Sequence, residues 1–160
     1  QSLRLAHALT VVADGLDLVV EVKAQHLLLH HSPHEVRNVD LVRAIAALNP
    51  DETAVVDCLT LWLTHWLMPA GDEALDLKQK QALALDWKAQ AAMFLEAVRQ
   101  SPGPVVLVGN EIGLGVIPLG REVRAFVDAL GLLNQQVAQA CERVTLMAAG
   151  LPLTLKEPLR

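Results

Sequence analysis

Pro104-Val105-Val106-Leu107-Val108-Gly109-Asn110-Glu111-Ile112-Gly113-Leu114-Gly115-Val116-Ile117-Pro118 is the stretch from which the fold is read. A short apolar run stops abruptly at Gly-Asn-Glu, and two glycines follow at alternate positions before a proline. The run has the composition of a strand buried on both faces, as in a parallel sheet. Ligands of such sheets gather just beyond the carboxyl ends of the strands, which is where Asn110 and Glu111 fall. Gly113 and Gly115 let the next turn adopt positive φ or pass close to a ligand. An ordinary strand-to-helix loop has the same composition, so this stretch alone assigns no role.

Outward from it, Ala54-Val55-Val56-Asp57 is a second apolar strand ending on a carboxylate, and Leu59 to Met68 (LTLWLTHWLM) is an apolar helix directly after it. Pro69 to Asp72 is a turn, and Ala74 to Arg99 a long amphipathic helix. Arg121 to Glu142 is another helix, followed by strands over Val144 to Ala148 and Leu151 to Leu155. Upstream, Asn38 or Asp40 caps a helix through Leu48, which Asn49-Pro50 ends. Gln1 to Leu9 carries leucines and alanines at helical spacing, with Ser2 as a cap. Thr10 to Ala13 and Asp17 to Val22 look extended, and Glu21 to His34 fits either state. Strands alternating with helices predict one α/β domain over residues 1–160, with a mainly parallel sheet flanked by helices.

The 160 residues are 52% hydrophobic, which excludes disorder and supplies a core. No apolar run reaches the roughly 18 residues that span a bilayer. A net charge of -5 argues against nucleic-acid binding, where phosphates demand a basic surface. Cys58 and Cys141 are too few for a disulfide framework, and no secretory leader pattern opens the sequence. A cytoplasmic location is the expectation. The apolar surface around Trp62, Leu63 and Trp66 predicts core or a subunit interface rather than a cofactor box.

Asp57, ending a strand and preceding a helix, stands where phosphoryl-transfer domains place the acid that holds Mg²⁺. An acid there also suits simple capping of the next helix. Asn110 and Glu111 end the other strand. If both ends face one crevice, Asp57 and Glu111 form an acidic pair suited to a hard cation bridging phosphates. His26, His30, His31 and His34 are the densest polar cluster. On a helix, His26 and His30 would lie one turn apart, as a metal clip or as a solvated helix end. A histidine is also a nucleophile that can be nucleotidylated at a ring nitrogen.

Several segments together resemble one family. Asp57-Cys58-Leu59-Thr60-Leu61-Trp62-Leu63, Val108 to Pro118, Leu133-Asn134-Gln135 and Ala149-Gly150-Leu151-Pro152-Leu153-Thr154-Leu155-Lys156 occur in order. The chain from about Val36 to Lys156 is similar to the bifunctional adenosylcobinamide kinases/adenosylcobinamide-phosphate guanylyltransferases of cobalamin biosynthesis. The resemblance implies a RecA-like P-loop fold assembled as a homotrimer. It also implies phosphorylation of adenosylcobinamide from ATP or GTP, then transfer of GMP from GTP through a guanylylated histidine.

Carried onto this chain, the resemblance implies Mg²⁺ near Asp57 and Glu111, and nucleotide contacts at Asn110, Gly113 and Gly115. It sets Ser2 at the serine of the family's Gly-Lys-Ser phosphate loop and Gln1 at the lysine, with a helix following over Leu3 to Leu9. Glutamine there keeps a hydrogen bond but loses the charge that offsets the phosphates. A gapless match through Pro33 puts Leu27 or Leu28 at the guanylylated position, and a small deletion brings in His30 or His31. Leu119, Val127 and Leu132 replace charged residues usual in the family. Three readings follow: an active family member, a degenerate paralogue serving as a non-catalytic oligomeric scaffold or partner, or another P-loop-type domain with a different substrate, against which the carboxyl-terminal motifs argue.

Overall fold

The computed structural model describes residues 8–12, 19–23, 27–29, 41–68, 76–115 and 118–158. A seven-stranded sheet runs β3-β2-β4-β5-β1-β6-β7 across. Its strands are β1 (Ala8–Val12), β2 (Val19–Lys23), β3 (Leu27–Leu29), β4 (Thr53–Asp57), β5 (Val105–Asn110), β6 (Arg143–Ala148) and β7 (Leu151–Lys156). The helices are α1 (Leu41–Ala46), α2 (Leu59–Leu67), α3 (Leu77–Gln100) and α4 (Arg121–Ala140).

The four central strands β4, β5, β1 and β6 are parallel, as the alternation of strands and helices predicts. Antiparallel strands extend both sides: β2 on β4, β3 on β2, and β7 on β6. The β6–β7 turn at Ala149-Gly150 uses positive φ at both residues, which reverses the chain within two residues. The burial on β4 and β5 alternates rather than covering both faces. Ala54, Val56, Val105 and Leu107 are buried, while their neighbours are half-buried.

The buried face of β4 and β5 joins the helices in one core. Leu59, Trp62 and Leu63 of α2, Phe94 and Val98 of α3, and Leu130, Leu133 and Val137 of α4 belong to the same cluster as Val56 and Leu107. Trp62 is its aromatic hub, with ring centroids 4.8 Å from Trp87 and 4.7 Å from Phe94. The tilted and edge-on geometry matches the quadrupole preference of aromatic pairs. Trp62 and Leu63 are thus core residues, and Trp66 packs half-buried beside them.

Local chemistry explains several boundaries. The start of α3 is set by a capping box: Asp76 Oδ1 accepts from the Gln79 amide at 2.8 Å, and Gln79 Oε1 accepts from the Asp76 amide at 2.9 Å. α4 buries Phe126, Leu130, Leu133 and Val137, the stripe expected of a 3.6-residue period. Lys156, closing β7, donates from Nζ to the Ala138, Gln139 and Cys141 carbonyls that α4 leaves exposed at its carboxyl end.

One expectation fails at the amino end. Helical spacing predicts a helix through Leu9, but Ala8 and Leu9 are in β1. The reason is tertiary: Leu9 pairs with Leu107 on one side and Val144 on the other, and two ladders outweigh a few tenths of a kcal/mol per residue of helix propensity. Residues 1–7, and the turn predicted over Pro69 to Asp72, lie outside the described residues.

β5 enters the sheet through Ser101-Pro102-Gly103-Pro104. The Ser101 hydroxyl donates to the Gly103 carbonyl at 2.8 Å, and Gly103 lies on the Asn49–Glu52 turn before β4. A Cβ at Gly103 would fall on the carbonyl oxygens of Glu52 and Asn49, backbone atoms that cannot rotate away. Gly103→Ala should therefore lower unfolding free energy by about 1–3 kcal/mol, read from urea denaturation followed by tryptophan fluorescence.

Candidate functional site

Parallel pairing fixes the site. Asp57 of β4 sits opposite Val108 of β5, so Glu111 emerges three residues later from the neighbouring strand at the same sheet edge. β1 contributes there too, because Val12 pairs with Asn110. α2 starts directly after Asp57 and Cys58, bringing its amino-terminal turn to this edge. The two acids named from the sequence are thus brought together on adjacent strand ends.

Glu111 does not extend freely from its strand. It opens a single 3₁₀ turn, Ile112–Leu114, and its Oε1 accepts from the Gly113 amide at 3.1 Å. The approach is close: a Cβ at 113 would stand 2.9 Å from that same oxygen, which a larger residue would push aside. The other carboxylate oxygen, Oε2, accepts from Asn134 Nδ2 at 3.4 Å. Asn134 Nδ2 also donates to the Asn110 carbonyl at 3.1 Å. The Asn110 amide donates to Thr60 Oγ1 at 3.0 Å. Helices α2 and α4 thus each hold a backbone group of Asn110 at the end of β5.

Asp57 differs in environment. Burial pushes its carboxyl above the usual value, and among the described residues no cation pairs with it. The charged form is held there at a cost that a bound cation would relieve. No third histidine, cysteine or acid joins the pair among the described residues. Two carboxylates suit Mg²⁺, which completes its shell with water and phosphate oxygens. They do not suit zinc, which wants nitrogen and sulfur ligands.

Beside the acid turn, Gly113, Gly115 and Pro118 form one wall of a cavity of about 260 Å³, with Arg124, Val127 and Asp128 of α4 opposite. Arg124 supplies a guanidinium at this cavity. The cysteines offer no nucleophile: both are buried, and burial pushes the Cys141 thiol up to about 11 against a smaller opposing effect of Lys156.

Gln1, Ser2, His26, His30, His31 and His34 lie outside the described residues.

Sequence reasoning assigned no role to Thr60, Arg124 or Asn134. The signal for Asn134 was present: it is a polar residue inside the apolar stripe of α4, between Leu133 and Val137. Thr60 carried none beyond its nearness to Asp57.

The desolvation of Asp57 has a pH consequence. A carboxyl raised above its ordinary 3.8 favours the folded state fully only below that value, and the advantage is lost as pH rises through the raised pKa. Asp57→Asn should therefore melt higher than the parent at pH 7 without divalent cations, and the gap should close toward pH 3.5–4, as followed by scanning calorimetry.

The family model for cobinamide kinase / cobinamide phosphate guanyltransferase (CobU) matches residues 30–155. The bifunctional adenosylcobalamin biosynthesis protein CobP of Pseudomonas aeruginosa is 47% identical over 106 residues, covering 66% of this chain and 54% of that protein. The bifunctional adenosylcobalamin biosynthesis proteins CobU of Escherichia coli and Salmonella typhimurium are 35% and 33% identical over 112 and 113 residues, covering 69% of this chain and 62% of each relative. The chain thus spans between about half and three fifths of the length of these relatives. The family has a P-loop NTPase-like α/β fold, the architecture of the parallel sheet and helices described above. By this match the chain belongs to the cobinamide kinase / cobinamide phosphate guanyltransferase family.

Proposed function

We propose that the chain is an adenosylcobinamide kinase and adenosylcobinamide-phosphate guanylyltransferase of cobalamin biosynthesis, acting in the cytoplasm as one nucleotide-binding domain. The observation that carries this is the pairing of β4 with β5, which sets Asp57 and Glu111 side by side beyond the sheet. Family membership and the names of the relatives supply the substrates.

In this reading Asp57 and Glu111 are the residues that would hold Mg²⁺ when GTP or ATP binds. When bound, the ion neutralises charge that develops on the transferring phosphorus. The protein's part is positional. Glu111 is prealigned by the Gly113 amide and Asn134, so its orientation is set before substrate arrives. Asn110 and the Gly113–Gly115 turn line the nucleotide, and the adjoining cavity with Arg124 suits an anionic group of the substrate. Guanylyl transfer falls to His30 or His31. An imidazole nitrogen attacks the α-phosphorus of GTP and displaces pyrophosphate, and the phosphate of adenosylcobinamide phosphate then takes GMP from the nitrogen.

The homotrimer belongs to the same reading. An apolar groove of about 620 Å³ lies between α3 and α4, floored by Ala91, Leu95 and Leu133. Leu151, Leu153 and Leu155 of β7 are more than half exposed, an apolar patch on an edge strand of the kind that subunit contacts cover. Among the described residues, no helix is long and apolar enough to cross a membrane.

Incubation with GTP and Mg²⁺ should add one GMP to the protein by intact mass, and His30→Ala or His31→Ala should abolish the adduct. Glu111→Gln should weaken Mg²⁺-dependent GTP binding by about tenfold or more in calorimetry while leaving the melting curve intact. No adduct together with no nucleotide-induced thermal shift would favour the non-catalytic scaffold.

A further inference from the structure

Asn134 is one of two buried polar side chains among the described residues, the other being Ser101 in the loop before β5. It comes from α4, twenty-three residues beyond the acid it touches. Its Nδ2 carries two hydrogens, and both acceptors within reach are on the acid turn: the Asn110 carbonyl and Glu111 Oε2. That choice fixes the hand of the amide. Oδ1 consequently faces β5, 3.4 Å from where a Cβ on Gly109 would be, and has no donor there.

A buried amide kept only for stability would use both of its ends. This one uses its donor end twice and leaves its acceptor end unpaired, a local cost of the kind that gathers where geometry serves function. The beneficiary is Glu111. Its carboxylate has about four lone-pair positions, of which Asn134 occupies one on Oε2 and the Gly113 amide one on Oε1. One position on each oxygen is thereby left open while the carboxylate itself is held. The two peptides flanking Asn110 are each tied to a helix: Thr60 of α2 accepts from the Asn110 amide in the preceding peptide, and Asn134 donates to the Asn110 carbonyl in the peptide that leads into Glu111.

We propose that Asn134 is a positioning residue that orients the Glu111 carboxylate toward a divalent cation and its phosphate ligands. This rests on the reading of Glu111 as a cation ligand given above, but its structural core, the amide-to-carboxylate frame, is independent of any nucleotide.

The test has two arms. In the nucleotide-free protein, hydrogen exchange of the Gly113 amide reports whether Glu111 is held in place. Asn134→Leu and Asn134→Asp both remove the donor, and Asp adds a charge facing Glu111. Each should speed Gly113 exchange by about tenfold or more, with the amides of β4 and α2 unchanged. Unaltered Gly113 exchange in a folded variant overturns the proposal. If neither variant folds, the wild-type chain decides: a through-hydrogen-bond coupling from Asn134 Nδ2 to the Glu111 carboxylate carbon supports the frame, and its absence overturns it.

The second arm is a double-mutant cycle on Mg²⁺-dependent GTP binding, measured by calorimetry. Asn134→Leu should weaken binding by about 10–100-fold, and the Asn134→Leu/Glu111→Gln double variant should bind no worse than Glu111→Gln alone. GTP binding in the absence of Mg²⁺ should be unaffected by Asn134→Leu. Additive losses, or equal losses with and without Mg²⁺, overturn the positioning role. A wild-type chain that binds no Mg²⁺–GTP refutes the proposed function instead, and Gly113 exchange then decides the frame by itself.

Discussion

Val55, Val56 and Asp57 pair in parallel with Val106, Leu107 and Val108, and that ladder determines where the acids of this protein end up. Parallel neighbours finish at the same edge of a sheet, so a carboxylate closing one strand and a carboxylate just past the next share one crevice. An antiparallel pairing of the same two segments would have put them at opposite ends. The ladder is secured from behind by the face it buries: Val56 and Leu107 are anchored to α2, α3 and α4 through the cluster around Trp62.

The same helices that fill the core also shape the site. α2 and α4 each send one polar side chain to the backbone of Asn110, Thr60 accepting from its amide and Asn134 donating to its carbonyl. Backbone groups at the end of a strand normally lose their ladder partners, and here side chains replace them. The acid turn thus inherits the rigidity of the core rather than the mobility of a loop. Glu111 folding back onto Gly113 completes the arrangement.

Stability and binding pull in opposite directions at this edge. Asp57 is partly desolvated with no cation paired to it among the described residues, and Asn134 carries an orphaned buried oxygen, a loss of about 1–3 kcal/mol by general experience. Neither feature strengthens the fold. Both are intelligible under the proposed function, in which the two carboxylates would hold a doubly charged ion on a phosphate chain. The family to which the chain belongs performs phosphoryl and guanylyl transfer by name, and such chemistry depends on charge placed in advance.

Much of this was legible in the residues. Apolar runs ending in Asp57 and in Asn110-Glu111, separated by helical segments, sufficed for an α/β domain with parallel central strands, because those runs are too short and too β-branched for helices. The segments Asp57 to Leu63 and Val108 to Pro118 sufficed for the family. Strand order did not follow from local pattern, since pairing is a contact between distant segments. For that reason Ala8 and Leu9, helical by spacing, became part of a central strand, and Asn134, quoted only as part of a family segment, became the partner of Glu111. Residue types and periodicity specified the elements and the chemistry at their tips, while only the packing of α2 and α4 against β5 decided which side chains hold those tips in place.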